Sequence, residues 1–241
     1  MISFAPVTVR AIRRFKSLPS LDEIAKERII FHPGETIPVR EAVALPDEFE
    51  RVLGSQEATT LELQRSWVTA TTATHGPTIA YLLQDALLAE HTIYAGRFYQ
   101  NCREERKSPI VRGAPETFRE AQLCTHLRAN QLFGHWLRDC MCLEELAEER
   151  GLIPLSFRRP EWRHESGYRR LFDLPGCETS LARVESLWIM DDRGLNRHWA
   201  RRFRILRARL KAKLPPGNQK PVFMFRGKMG VARRLVNEDD I

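Results

Sequence analysis

The stretch FGHWLRDCMCLEELAEERGLIPLSF, residues 133–157, predicts a helix that is followed directly by a buried strand. Leu132, Trp136, Cys140 and Leu143 are spaced so that they share one apolar face of that helix. Gly151 is the residue type that most often ends a helix in the left-handed conformation, and the apolar run LIPLSF comes directly after it. A helix that passes into a strand in this way is typical of α/β proteins.

Helical and strand-like patterns also alternate in the rest of the chain. Helical spacing occurs in HESGYRRLFDL (164–174) and in RHWARRFRILRARLKAKL (197–214), and strand patterns occur in HTIYAG (91–96), RVESLWIM (183–190) and PVFMF (221–225). We therefore predict an α/β fold with a mostly parallel sheet. The pattern divides the chain into an irregular region with a few strands (1–77), an α/β body (78–190), a basic linking helix (191–217) and the start of a second α/β unit (218–241).

The composition of the 241 residues is that of an ordinary globular protein, with 43% hydrophobic and 29% charged residues. The first 20 residues lack the apolar core of a secretory signal, and five cysteines at irregular spacing do not suggest a disulfide framework. We expect a reduced, cytoplasmic protein, with peripheral contact at the inner membrane as an open alternative. The net charge is +7, and residues 191–241 hold 14 Lys and Arg against 5 Asp and Glu. Such an excess favours a phosphate-bearing partner or, equally, a solvated helix face.

His135 and Asp139 are the first candidate catalytic residues. They are four positions apart, so they project from the same side of a helix. A carboxylate can orient an imidazole and raise its basicity, as a general base acting on a hydroxyl group requires. An ordinary pair on the helix surface remains the alternative interpretation.

Two further hypotheses concern the residues around His135 and Asp139. Trp136 shares its helix face with apolar residues and is expected in the core, although stacking on a sugar is an alternative role for its indole. A zinc site could be sought among Cys124, His126, His135, Cys140 and Cys142. Cys140 and Cys142 would lie on different faces of a helix, so we do not expect them to chelate one ion together.

The second candidate site is FMFRGKMGVARRLVNEDD, residues 223–240, where a strand gives way to a glycine-containing loop. The loop places Arg226, Lys228 and Arg234 beyond the carboxyl end of that strand, where open α/β sheets bind ligands. The forked donors of arginine suit a diphosphate, and Asn237 and Glu238 would cap the next helix or orient the arginines. A solvated basic turn is the alternative.

The helix predicted at 197–213 combines an apolar stripe with many arginines. It could lie on an anionic membrane surface, or pack its stripe on the protein and expose its charges. We expect no nucleic-acid binding, because no recognised DNA- or RNA-binding motif accompanies the helix.

Taken together, FGHWLRD (133–139), the strand ending in FRG (225–227) and RRLVNEDD (233–240) resemble glycosyltransferase family 61. Bacterial members show a His-Trp-Leu motif that opens a helix, and later a strand ending in Arg and an Arg-Arg-x-x-Asn-Glu element. The resemblance covers roughly residues 78–241, with the motifs in the expected order.

The resemblance implies a two-lobed GT-B fold whose two Rossmann-like lobes face a cleft. It also implies inverting transfer from a nucleotide sugar to a glycan acceptor in capsular or other surface-polysaccharide synthesis, with no metal and no other cofactor. Residues 78–190 would form the acceptor-side lobe and carry His135 and Asp139 as catalytic residues. Arg226, Lys228, Arg234, Asn237 and Glu238 would begin the donor-side lobe and bind the diphosphate.

Family members continue well past the Asn-Glu element, whereas this sequence stops at Ile241. We therefore expect the donor-side lobe to be incomplete, with a second chain as one means of completing it. The alternative is a non-catalytic remnant or interaction module that offers a basic surface to membrane lipid or to a partner subunit.

Overall fold

The fold is taken from a computed structural model of the chain. The structure describes residues 2–215, except 16, 44, 46, 53, 55–58 and 104–109. The predicted strand at 221–225 and the candidate residues Arg226, Lys228, Arg234, Asn237 and Glu238 lie outside the described residues.

The helices of the described residues confirm the periodicity that the sequence showed after residue 131. They are α1 (Ala5–Phe15), α2 (Leu21–Ile24), α3 (Leu61–Val68), α4 (Phe133–His135), α5 (Met141–Glu149), α6 (Glu165–Phe172) and α7 (Arg197–Lys213), with a π-helical segment (Trp136–Cys140) that joins α4 to α5. Gly151 follows α5 with a φ of +67°, as expected of a helix end. None of these helices is long and apolar enough to span a bilayer.

The described residues also contain short and long strands. They are β1 (Ile2–Ser3), β2 (Glu27–His32), β3 (Glu35–Pro38), β4 (Thr72–His75), β5 (Thr78–Ala89), β6 (Thr92–Ala95), β7 (Phe98–Asn101), β8 (Val111–Arg112), β9 (Glu116–Leu123), β10 (Ile153–Phe157), β11 (Cys177–Thr179) and β12 (Leu181–Asp191). Strands β10 and β12 are the ones predicted from LIPLSF and RVESLWIM, and β6 is the one predicted from HTIYAG.

The main sheet has eight strands in the order β11-β10-β9-β12-β5-β6-β7, with β2 also paired to β5. The pairs β11–β10, β10–β9 and β9–β12 are parallel, and every pair that involves β5 or β6 is antiparallel. The α/β class is therefore confirmed, but the expectation of a mostly parallel sheet is wrong, because the sheet is mixed.

A short turn explains one antiparallel pair of the main sheet, β5 with β6. Glu90 and His91, which separate β5 from β6, have φ values of +47° and +56°. Two residues at positive φ make the tight hairpin turn whose twist matches that of the strands, and a link of two residues can only join antiparallel neighbours. Because neither residue is a glycine, this hairpin has no clear signal in the sequence.

Strand β2 comes from the region that the sequence analysis treated as an irregular N-terminal part. Its residues pair with β5 from Glu27↔Leu82 to His32↔Thr78. Residues 27–32 and the α/β body therefore share one sheet.

Two apolar clusters hold the helices and the sheet in place. One covers a face of the main sheet and includes Leu83, Leu155, Phe157 and Leu187. The other lies among the helices and includes Trp136, Cys140 and Met141 together with residues of α6 and α7 such as Phe172 and Leu206. The packing of α7 against α5 and α6 fixes the end of β12 relative to the segment that carries His135.

Candidate functional site

A cavity of about 690 Å³ opens where the parallel strands β9 and β12 end. The chain leaves β9 toward β10 and so turns away from β12, and such a divergence leaves a crevice at the carboxyl ends of the two strands. Its lining includes His126 after β9, Asp191 and Asp192 at the end of β12, His135 and Asp139 from the helical segment, and Trp199 from α7.

The segment after β9 fixes His126. The amide of Cys124 donates to the carbonyl of Leu155 (2.8 Å), which extends the contact of β9 with β10. Asn130 then closes the following turn, since its Oδ1 accepts from the Thr125 hydroxyl (3.0 Å) and its Nδ2 donates to the Cys102 carbonyl (2.7 Å). Asn130 is buried, and both polar groups of its side chain are hydrogen-bonded, so it holds the turn that presents His126.

The π-helical segment places His135 and Asp139 beside His126. The wider turn of a π-helix is rare and occurs frequently at functional sites. Asp139 Oδ2 lies 2.9 Å from His135 Nδ1 and 3.1 Å from His126 Nε2. Arg138 Nε and NH2 donate to the two oxygens of the same carboxylate, at 2.5 Å to Oδ1 and 3.0 Å to Oδ2.

These contacts keep Asp139 ionised. Burial by itself would raise the pKa of the Asp139 carboxyl, but the hydrogen bonds from His126, Arg138 and His135 hold this pKa well below its usual range. An ionised carboxylate can only accept a hydrogen bond, so Nδ1–H of His135 donates to it. That tautomer leaves Nε2 as the basic nitrogen. The arrangement can therefore take a proton from a hydroxyl group that reaches the ring.

The predicted pairing of His135 with Asp139 is thus present and faces a cavity, and it gains a third member. His126 entered the sequence analysis only within the zinc set, whose cysteines lie elsewhere. Cys124, Cys140 and Cys142 are buried, and burial raises the pKa of each thiol, to about 12 for Cys142. Among the described residues, the His, Cys, Asp and Glu side chains that meet closely enough for one ion are His126, His135 and Asp139.

Trp136 belongs to the core, as the apolar spacing predicted, and is only 2% exposed. Its ring stacks on Phe133 at 5.6 Å between centroids. The alternative of sugar stacking on Trp136 is therefore wrong. Leu132 also departs from the predicted apolar face and is 52% exposed, because the helix begins only at Phe133.

Trp199 is the indole that lines the cavity, although the sequence placed it on the apolar stripe of α7. It is stacked on Phe203 at 5.1 Å between ring centroids. The spacing of an amphipathic helix does not reveal which end of its stripe meets a cavity, so the sequence analysis missed this residue.

The end of β12 also lines the cavity, and sequence reasoning missed it too. Asp192 accepts from the hydroxyl of Thr78 (2.7 Å) and from NH2 of the fully buried Arg202 (2.6 Å). Burial raises the pKa of Asp192, and Arg202 opposes this shift. The signal in the sequence was the pair of aspartates directly after the strand pattern SLWIM.

Most of the cations of α7 are occupied within the described part of the protein. Arg197, Arg201, Arg202, Arg209 and Lys213 form ion pairs with Glu35, Glu149, Asp192, Glu145 and Glu148, and Asp173. The helix is thereby tied to several parts of the fold. Its charges serve intramolecular contacts more than a free basic surface.

Comparison with protein-family models, with curated proteins and with solved structures finds no match to this chain.

Proposed function

We propose that this chain is the acceptor-side part of an inverting glycosyltransferase that transfers a sugar from a nucleotide sugar to a glycan acceptor. The observation that carries the proposal is the hydrogen bond between His135 and Asp139 at the wall of the cavity. The choice of sugar transfer as the reaction rests on the order of the motifs described above. The cavity offers a place for the acceptor. Synthesis of capsular or other surface polysaccharide is the setting that this proposal includes.

The proposed reaction needs a base on the acceptor side. Nε2 of His135 removes the proton of an acceptor hydroxyl, while the Asp139 carboxylate stabilises the imidazolium that forms. The hydroxyl oxygen bonds to the anomeric carbon as the bond from that carbon to the nucleoside diphosphate breaks. One displacement of this kind inverts the anomeric configuration.

The lining of the cavity suits a carbohydrate. Its volume of about 690 Å³ is in the range of small-ligand sites. Gln100, Asn101 and Asp191 offer amide and carboxylate groups to hydroxyls, and Tyr81 and Trp199 offer aromatic surface. A wall that mixes polar groups with apolar and aromatic surface fits the polar and apolar faces of a sugar.

The fold is compatible with a Rossmann-like lobe of a two-lobed GT-B enzyme, and we include this architecture in the proposal. Strands β9, β10 and β11 are parallel neighbours joined by α4, α5 and α6, which makes a βαβαβ unit. Arg226, Lys228, Arg234, Asn237 and Glu238 keep their proposed role on the donor diphosphate.

The alternative function, a non-catalytic module with a basic surface for lipid or a partner subunit, has less support. Five cations of α7 already form ion pairs with carboxylates. These five cations are therefore less available to a phosphate-bearing partner.

The test combines transfer with binding. A panel of nucleotide sugars is incubated with the chain and oligosaccharide acceptors, and release of nucleoside diphosphate is measured. His135→Ala should lower the rate at least about 100-fold, while the exposed His164→Ala serves as matched control. Equal rates in His135→Ala and the wild type would refute the assignment of the base. Binding to anionic vesicles without any stabilisation by nucleoside diphosphates would favour the module instead.

A further inference from the structure

We infer that His126, His135 and Asp139 form a binding site for one divalent transition-metal cation. This inference goes beyond the proposed function and departs from the expectation of a metal-free site. The candidate ligand atoms are Nε2 of His126, Nδ1 of His135 and Oδ2 of Asp139. One ligand atom from each of the three residues lies within 4.8 Å of those of the other two.

The spacing of these atoms matches adjacent positions around a metal ion. The carboxylate oxygen lies 3.1 Å from the first nitrogen and 2.9 Å from the second. Bonds of about 2.0–2.1 Å to a zinc ion place neighbouring ligand atoms roughly 3 Å apart. The two distances to the carboxylate oxygen therefore fit neighbouring ligands of one ion, and the adjoining cavity leaves further coordination positions for water or substrate.

Two atoms of the cluster, Asp139 Oδ2 and His135 Nδ1, each face more than one nitrogen atom, which is a second reason to expect an ion. Asp139 Oδ2 faces three nitrogen atoms, from His126, His135 and Arg138. Nδ1 of His135 also lies 3.2 Å from Arg138 NH2. This ring nitrogen cannot donate to the carboxylate and accept from the guanidinium at once. A cation would accept lone pairs from both imidazoles and from the carboxylate, so it would satisfy all three ligands together.

Arg138 is the competitor of the ion. Its guanidinium occupies the carboxylate, and its charge opposes a second cation nearby. The Arg138 side chain is 44% exposed and extends from the helix surface, so it can turn into solvent when an ion binds. The affinity for metal should therefore rise when Arg138 is removed.

The chemistry of the ligands indicates the class of ion. Two imidazoles and one carboxylate suit Zn²⁺ and its neighbours in the first transition row, whereas Mg²⁺ and Ca²⁺ prefer oxygen ligands alone. An ion bound to Nδ1 of His135 would replace the Nδ1 hydrogen atom that is hydrogen-bonded to Asp139. Bound Zn²⁺ is therefore expected to inhibit the proposed sugar transfer.

The test is titration of the full chain with Co²⁺, followed by absorption spectroscopy, and with Zn²⁺, followed by calorimetry. We expect one saturable site per chain, visible cobalt bands typical of nitrogen and oxygen ligands, and no sulfur-to-cobalt charge transfer. His126→Ala and Asp139→Asn should each weaken binding at least about tenfold. Arg138→Ala should strengthen it about thirtyfold, the effect of removing one unit positive charge that lies about 4 Å from a divalent cation near water.

The control is His164→Ala, which removes an exposed imidazole elsewhere and should leave the titration unchanged. Circular dichroism of each variant separates loss of the site from loss of the fold, and Arg138→Ala tests the site by a gain. The inference is overturned if the wild type shows no saturable binding, if Arg138→Ala fails to strengthen it, or if binding survives His126→Ala. None of these results bears on the transfer assay with His135→Ala, so the two proposals can fail separately.

Discussion

Replacing Arg169 with methionine should destabilise the fold severely, because this arginine neutralises two buried carboxylates and lies against the ring of Trp136. Its NH1 lies 2.8 Å from Glu144 Oε2, and its Nε lies 3.0 Å from Glu165 Oε1. Glu144 and Glu165 are only 1% and 2% exposed. Glu165 retains a second ion-pair partner in Arg159, at 2.8 Å. The variant therefore leaves chiefly Glu144 without a cationic partner.

The cost depends on pH. Removing one partner of a buried ion pair costs about 3–5 kcal/mol of unfolding free energy when the other partner stays charged. Burial raises the pKa of Glu144 to about 7, and Arg169 opposes that shift. A carboxyl whose pKa is raised by folding loses stability as the pH rises from its unfolded value through its folded value. Without Arg169 this pKa rises further, so the deficit should grow as the pH rises above about 7 and be larger at pH 8 than at pH 5.5, where Glu144 is protonated.

The measurement is guanidinium unfolding at both pH values, with the denaturant slope checked for constancy. Arg204→Met, which replaces an exposed arginine of α7, is the control and should change stability by less than about 0.5 kcal/mol. Adding Glu144→Gln to Arg169→Met should recover part of the loss at pH 8. A loss below about 1 kcal/mol at pH 8, or an equal loss at both pH values, would refute the view that Glu144 is the abandoned charge.

Three further predictions rest on single positions and can be measured by the same unfolding method. Gly194→Ala should lower the free energy of unfolding by about 1–3 kcal/mol, because a Cβ there would lie 2.2 Å from the Gly76 carbonyl oxygen. Gly167 has open space around it, so Gly167→Ala should stabilise α6 by about 0.5–1 kcal/mol. Equal effects of the two substitutions would contradict the close approach of Gly194 to Gly76. Asn196→Ala should lower the free energy of unfolding by about 1–2 kcal/mol, because Asn196 Oδ1 caps α7 by accepting from the amides of His198 and Trp199 at 2.9 and 3.1 Å. An unchanged unfolding midpoint would show that this cap does not stabilise the fold. The wild type should lose stability as the pH falls through the ordinary value of 3.8 toward the depressed pKa of Asp139, and Asp139→Asn should show a shallower decline there; parallel pH profiles would show that the charge is not stabilising.

The helices and parallel strands after residue 131 were predictable because their signals are local. The apolar spacing around Trp136, the glycine at 151 and the run LIPLSF each depend on neighbours within a few residues, and all three appear in the structure. The burial of Trp136 followed from the same spacing. The pair His135–Asp139 was predictable for the same reason, since one turn of helix brings the two side chains together.

The antiparallel half of the sheet was not predictable in this way. Pairing of β5 with β12 joins residues about a hundred positions apart, such as Ala89 and Leu181. The hairpin at Glu90 and His91 has no glycine to announce its positive φ values. Partner choice among strands depends on which faces can be buried together, and that is a property of the assembled sheet.

The sequence by itself therefore determined the α/β class, the positions of the later helices and strands, and the pairing of His135 with Asp139. Only the tertiary structure decided that His126, which lies nine residues before His135 in another segment, contacts the carboxylate of Asp139. It also decided that Asp192 and Trp199 line the same cavity as these residues. The physical reason is range. Helical spacing acts over one or two turns, whereas a site at the carboxyl ends of β9 and β12 exists only after the sheet has brought distant segments side by side.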